Sequence, residues 1–122
     1  MENITRNEFE LLKICWKLKE ATAKEILEES LKVRKRHYST IKTLLDIMVR
    51  KEILKTRKIG PIYLYKVKTP KKRFITYMID DFVDRVLEGD VVPLFINYIK
   101  KTNLTKEQRE ELRETLNTMK DD

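Results

Sequence analysis

A change in the spacing of apolar residues near position 54 places the strongest constraint on how this chain folds. Before it, apolar residues recur every three or four positions, as they do on helices that bury one face. After it, the segment "ILKTRKIGPIYLYKV" carries β-branched and aromatic residues on both sides of Gly60-Pro61, which is typical of a β-hairpin. The first part of the chain is therefore predicted to form three short helices followed directly by a hairpin.

Three capping boxes mark where helices begin, because a Thr hydroxyl and an acidic or amide side chain three residues later satisfy each other's backbone N–H groups. The pairs are Thr5 with Glu8, Thr22 with Glu25, and Thr105 with Gln108. Together with the apolar spacing they predict helices over about 6–18, 23–31, 39–51, 70–88 and 106–119. A further helix is predicted through "VVPLFINYIKKT", with Asp90 as its cap.

The third predicted helix has an unusual polar face. Its apolar residues Ile41, Leu44, Leu45 and Met48 recur at helical spacing and should be buried. The opposite face carries short hydroxyl groups, which permit close approach to base pairs, and basic groups that reach guanine acceptors or phosphates. Its members are Ser39, Lys42, Thr43, Asp46 and Arg50. This face is predicted to enter the major groove of double-stranded DNA.

Further DNA contacts are predicted on either side of that helix. His37 and Thr40 lie at its first turn, where free N–H groups and the helix dipole favour a phosphate. Asp46 either accepts a hydrogen bond from a cytosine amino group or orients a neighbouring lysine. The first hairpin strand would run along adjacent phosphates through its basic residues, which are Lys55, Arg57 and Lys58.

Positive charge is concentrated in the same part of the chain. Residues 1–72 contain 19 Lys and Arg against 9 Asp and Glu, whereas residues 73–122 contain 8 against 11. A polyanionic partner is therefore expected for the first part only.

The second part carries apolar helix faces that about fifty residues cannot bury alone. We predict that these faces pair with a second copy of the chain; the alternative is that they pack back onto the first domain of the same chain. The predicted dimerisation residues are Ile75, Met78, Ile79, Phe82, Val86, Leu94, Phe95, Tyr98, Leu112 and Leu116. The fold class predicted is mainly α: a winged helix-turn-helix over 1–70 and a helical dimerisation domain over 71–122.

Several function classes are not expected. With one His and one Cys, the chain offers no nucleophile and base pair, so it is not predicted to be an enzyme. Cys15 cannot form an internal disulfide, and no metal site or cofactor is predicted. The sequence contains neither a signal peptide nor a run long enough to cross a membrane, so a cytoplasmic location is expected.

The sequence also resembles the penicillinase-repressor family, the BlaI and MecI type to which the copper repressor CopY is related. The resemblance covers nearly the whole chain. It is carried by "EFELLKICW" with its tryptophan, "TAKEILEE", "STIKTLLDIMVRKEIL", the strand "IYLYKV", and "LEGDVVPLFINYIKKTNLTKEQREELRETL". It implies a dimeric repressor of transcription that occupies promoter operators.

The resemblance further implies how such a repressor leaves DNA. In the β-lactam-responsive members, a membrane-bound sensor-protease system triggers cleavage in the C-terminal part, which ends dimerisation. The family's scissile Asn-Phe bond would fall at Asn97-Tyr98, where this chain has Tyr in place of Phe. The alternative is that both are ordinary interface residues. The cysteine-rich motif of the copper-responsive relatives is absent, because no Cys follows position 15.

The function predicted is therefore a homodimeric repressor that recognises an inverted-repeat operator in double-stranded DNA and is released when dimerisation weakens. Two alternatives remain: a protein that binds nucleic acid without sequence preference, and a helical adaptor for other proteins.

Overall fold

The computed structural model describes residues 4–119, which form two compact units with the break between Tyr77 and Met78. The predicted fold class is confirmed, since the first unit has three helices and a hairpin in the expected order. One short strand, β1, was not predicted. The elements are α1 (Arg6–Leu18), β1 (Glu20–Ala21), α2 (Ala23–Ser30), α3 (Tyr38–Arg50), β2 (Leu54–Ile59) and β3 (Ile62–Val67).

The sheet has three antiparallel strands in the order β1-β3-β2. β2 and β3 form the hairpin, and their register runs from Leu54 opposite Val67 to Ile59 opposite Ile62. β1 pairs with the other edge of β3, where Ala21 lies opposite Tyr65. β3 is thereby hydrogen-bonded on both sides and is the fixed centre of the sheet.

The core of the first unit draws on all three helices and the sheet. α3 contributes Ile41, Leu45 and Met48, each of which is 0% exposed. Because these three lie on one stripe, their burial fixes the rotation of α3 about its axis. The other buried apolar residues are Leu11, Leu12, Cys15, Ala21, Ala23, Ile26, Ile53, Leu54, Tyr65, Val67 and Phe74.

Trp16 joins the first turn of the next helix, α4 (Lys71–Val86), to this core. Its indole N–H donates to the carbonyl oxygen of Thr69 at 3.0 Å, and its ring meets Phe74 edge to face with centroids 5.3 Å apart. Phe74 is 1% exposed. The start of α4 therefore belongs to the first unit although most of its length lies beyond Tyr77.

Both capping boxes of the first unit are present as predicted, but that of α1 is buried. Glu8 accepts from the backbone N–H of Thr5 at 2.9 Å and is 1% exposed. It also accepts from the Lys51 ammonium at 2.9 and 3.0 Å. This pair ties the start of α1 to the end of α3, 43 residues away in sequence.

The second unit continues α4 and adds α5 (Val92–Lys101) and α6 (Lys106–Thr118), whose Thr105 and Gln108 form the third predicted capping box. The prediction that Asp90 caps α5 was wrong, because the N-cap is Val91. The backbone N–H of Asp90 instead donates to Leu87 at 3.0 Å, in the turn that ends α4. Among residues 4–119, no helix is both long and apolar enough to span a bilayer.

Glu8→Gln should destabilise the first unit. Glutamine can keep the cap but removes the buried carboxylate charge that accepts from Lys51, so we expect the free energy of unfolding to fall by about 1–3 kcal/mol. Glu25→Gln is the matched control, because Glu25 holds the same place in the exposed capping box of α2. Urea unfolding followed by circular dichroism measures both, and equal losses would contradict a special role for Glu8.

The stability difference between the native chain and Glu8→Gln should depend on pH. Burial by itself would raise the pKa of Glu8, but hydrogen bonds from Thr5 and Lys51 reverse this, and its pKa lies below the ordinary value of 4.5. The stabilisation is therefore complete above pH 4.5 and is lost as the pH falls through the lower, folded-state pKa. The difference between the native chain and Glu8→Gln should narrow in that acidic range.

Candidate nucleic-acid interface

The polar face of α3 is open to solvent because the opposite stripe is buried. Ser39, Thr43, Asp46 and Arg50 are all exposed and follow one line along the helix. Thr40 is also exposed, on the flank of this line. These five residues form one continuous surface, which we call the α3 face; of the residues predicted on the polar side of the helix, only Lys42 is not part of it.

Lys42 lies beside this face, between α3 and the hairpin. Its ammonium donates to the Tyr65 hydroxyl at 2.7 Å and to Asp46 Oδ1 at 2.9 Å. It also lies 5.4 Å from the centroid of the Tyr65 ring and 6.0 Å from that of Tyr63. Both hydrogen bonds raise the pKa of Lys42, and the bond to Tyr65 has the larger effect. Of the two roles considered for Asp46, the free chain shows the second, in which it orients a lysine.

The segment that leads into α3 is fixed to α1. Both Arg34 and Arg36 donate to the carboxylate of Glu10, Arg34 at 2.6 Å. His37 is the N-cap of α3, and its side chain is exposed and makes no capping hydrogen bond. His37 thus provides no side-chain acceptor to the positive dipole end of α3, and this end is suited to an anion.

The three basic residues predicted on the hairpin do not act as one set, because strand residues alternate between the two faces of the sheet. Lys58 lies opposite Tyr63 and its ammonium is 5.4 Å from that ring, on the side that also faces Lys42. Lys55 and Arg57 occupy the other face. Arg57 donates to Glu20 at 2.7 and 2.6 Å, and this lowers the pKa of Glu20.

Sequence reasoning missed Tyr65, Glu10 and Glu20 as partners of the basic residues. Tyr65 lies 23 residues from Lys42, and Glu20 lies 37 residues from Arg57. Glu10 lies 24 and 26 residues from its two arginines. No local spacing in the sequence points to pairs so far apart. Tyr65 is 2% exposed and belongs to the core, and its hydroxyl reaches Lys42.

The exposed hydroxyl and basic groups of this surface suit binding to a polyanion. Within residues 4–119, no group of three or more His, Cys, Asp or Glu side chains is placed to hold a metal ion. Cys15 is 1% exposed, and burial raises the pKa of its thiol to about 12. The thiol is therefore protonated at neutral pH and packs as a small apolar group.

Comparison with known proteins identifies the family, since the penicillinase repressor model matches residues 4–118. The chain belongs to the penicillinase repressor family. It is 31% identical over 114 residues to the penicillinase repressor of Staphylococcus aureus, covering 93% of this chain and 90% of that protein. It is also 29% identical over 114 residues to the methicillin resistance regulatory protein MecI of Mammaliicoccus sciuri, covering 93% of each chain.

A solved structure supports the same assignment. The solution structure of the DNA binding domain of the repressor BlaI is similar to this chain, with a TM-score of 0.52 and 26% identity, over 58% of this chain and 90% of that one. The resemblance seen in the sequence is thereby confirmed. As a member of the penicillinase repressor family, the chain is a DNA-binding transcriptional repressor and not an enzyme.

The two faces of the hairpin should contribute unequally to DNA affinity. Lys58 lies on the side that faces Lys42, whereas Arg57 is already engaged by Glu20. We expect Lys58→Gln to reduce the slope of log affinity against log salt concentration by about one. Arg57→Gln, the matched control, should reduce the slope by less than about 0.5. Fluorescence anisotropy across a salt series measures both slopes, and equal reductions would show that both faces contact phosphates.

Proposed function

We propose that this penicillinase repressor family member acts as a homodimer, in which each subunit inserts the α3 face into the major groove of one half of an inverted-repeat operator. The observation that carries the proposal is the division of α3 into a wholly buried stripe and a fully open polar one. An α-helix with its side chains is about 10–12 Å across, and the major groove of B-DNA is about 12 Å wide. Short Ser39 and Thr43 side chains allow that fit.

The residues fall into two groups by the contact they would make. Lys42 and Thr43 would face base edges, with Asp46 beside the Lys42 ammonium as its ion-pair partner. Phosphates would be held by the start of α3 at His37 and by the basic residues around it, which fix position but carry no sequence information. These basic residues are Arg50 and Lys58.

The second unit supplies the reason for a dimer. No residue of α5 or α6, which the structure describes in full, is buried. Phe82 of α4 is 43% exposed and Leu94 and Phe95 of α5 are 41% and 45% exposed. Apolar side chains exposed in this number mark an interaction surface. A second copy of the chain is the proposed partner, since a two-fold axis lets one apolar surface cover its own equivalent.

Two-fold symmetry in the protein requires two-fold symmetry in the DNA. Two α3 helices on one side of a duplex need half-sites whose centres are separated by about 10–10.5 base pairs, or a multiple of this. The operator is therefore proposed to be an inverted repeat. A protein that binds DNA without sequence preference would have no such requirement.

Release from the operator is proposed to follow loss of the dimer. Asn97 and Tyr98 lie in the middle of α5, and Tyr98 is 69% exposed. A cut between them by a sensor-linked protease would divide α5 and detach α6. Each monomer would then hold a single half-site and lose the gain from linked sites, often about 10²–10⁴-fold.

The experiment uses the full chain and a duplex selected by that chain from a random-sequence pool. Phe82→Lys places a charge in the exposed apolar surface of α4, and Asp84→Lys places the same residue on the opposite side of the same helix. Both raise the net positive charge, so neither weakens DNA binding by simple electrostatics. Sedimentation velocity gives the assembly state, and anisotropy gives the affinity for the selected duplex.

We expect the native chain and Asp84→Lys to be dimers that bind an inverted repeat. Phe82→Lys should sediment as a monomer and bind about 10²–10⁴-fold more weakly. Selected sequences without two-fold symmetry, or a dimeric Phe82→Lys that binds normally, would refute the proposal.

A further inference from the structure

Among residues 4–119, two acceptors meet the Lys42 ammonium, which leaves one of its donors open. A lysine ammonium has three N–H groups, and two of them are used by the Tyr65 hydroxyl at 2.7 Å and by Asp46 at 2.9 Å. The side chain of Lys42 is 38% exposed, so the third N–H is accessible to a ligand. A lysine held in this way presents one directed hydrogen bond, whereas an unrestrained lysine presents only a mobile charge.

Of the two partners of Lys42, Tyr65 restrains its ammonium more strongly than Asp46 does. Asp46 lies one turn along the same helix, and its side chain is 53% exposed. Ion pairs of this exposed kind contribute little because water competes for both groups. Tyr65 is 2% exposed and lies on the central strand of the sheet, paired with Ala21 on one side and Thr56 on the other. The Tyr65 hydroxyl is therefore the fixed point from which Lys42 is directed.

We propose that Tyr65 is a positioning residue that sets the base specificity of this repressor through Lys42, although it does not itself reach DNA. The inference rests on the proposed function, because it assigns a source of specificity to the α3 face. Without the hydroxyl, the Lys42 side chain swings among several acceptors, phosphates included. Its charge remains, so attraction to DNA of any sequence is preserved while discrimination between sequences is lost.

The variant Tyr65→Phe tests this directly, because it deletes the hydroxyl and keeps the ring that fills the core. The quantity measured is the ratio of affinities for the selected duplex and for a scrambled duplex of the same composition. We expect the ratio to fall about 5- to 20-fold, mostly through weaker binding to the selected duplex. Binding to the scrambled duplex should change by less than about twofold.

A double-mutant cycle separates positioning from a general structural effect. In the Lys42→Met background, Tyr65→Phe should leave the ratio unchanged, because the group that it positions is gone. Tyr63→Phe serves as the matched control for this coupling. It removes a hydroxyl that is not bonded to Lys42 from the same strand and the same face, so its effect should be equal in both backgrounds.

Nuclear magnetic resonance of the free native chain provides a reading that does not depend on any variant folding. The Lys42 ammonium should exchange its protons slowly and titrate with a pKa above its ordinary value. A rapidly exchanging Lys42 ammonium with an ordinary pKa would overturn the inference.

The outcomes distinguish the inference from the function on which it rests. If the native chain shows no preference for its selected duplex, the proposed function itself fails and the inference fails with it. If the native chain does discriminate, the inference alone is overturned by a Tyr65→Phe variant that discriminates equally well. The inference would also be overturned if Tyr65→Phe lowered the affinity ratio equally in the native and Lys42→Met backgrounds.

Discussion

The complete burial of Ile41, Leu45 and Met48 is the constraint on which the rest of the structure depends. These residues occupy one stripe of α3 and are 0% exposed, so the helix has a single possible rotation against the core. Ser39, Thr43 and the other members of the α3 face are exposed as a direct consequence. The surface proposed to read DNA is therefore exposed because the apolar side of the same helix is buried in the core.

Polar contacts between distant segments then hold α3 at three places. Glu8 bonds Lys51 at its end, Glu10 bonds the two arginines before its start, and Tyr65 bonds Lys42 between them. Each joins α3 or its flanks to another element, so the α3 face keeps its position relative to the hairpin. The second unit is different in character, since its apolar surfaces are exposed in the single chain.

Local patterns in the sequence were sufficient for the starts of α1, α2 and α6 and for the hairpin. Thr5, Thr22 and Thr105 each find their capping partner three residues away, a distance at which geometry is fixed by the helix itself. The pairing of Tyr65 with Lys42 and of Arg57 with Glu20 spans 23 and 37 residues, and only the packed fold brings these side chains together. Asp90 was misassigned for a different, local reason: its backbone N–H is used by the turn that ends α4, and Val91 is the N-cap of α5.

The central claim is that the α3 face, and no other surface of the first unit, meets the DNA bases. Backbone amide chemical shifts of the labelled full chain, recorded during titration with the selected duplex, test it most directly. The largest changes are expected at Ser39, Thr43 and Asp46, with smaller changes at Lys58 on the hairpin. Unchanged signals from α3, together with large changes on the exposed side of α1 or α2, would contradict it.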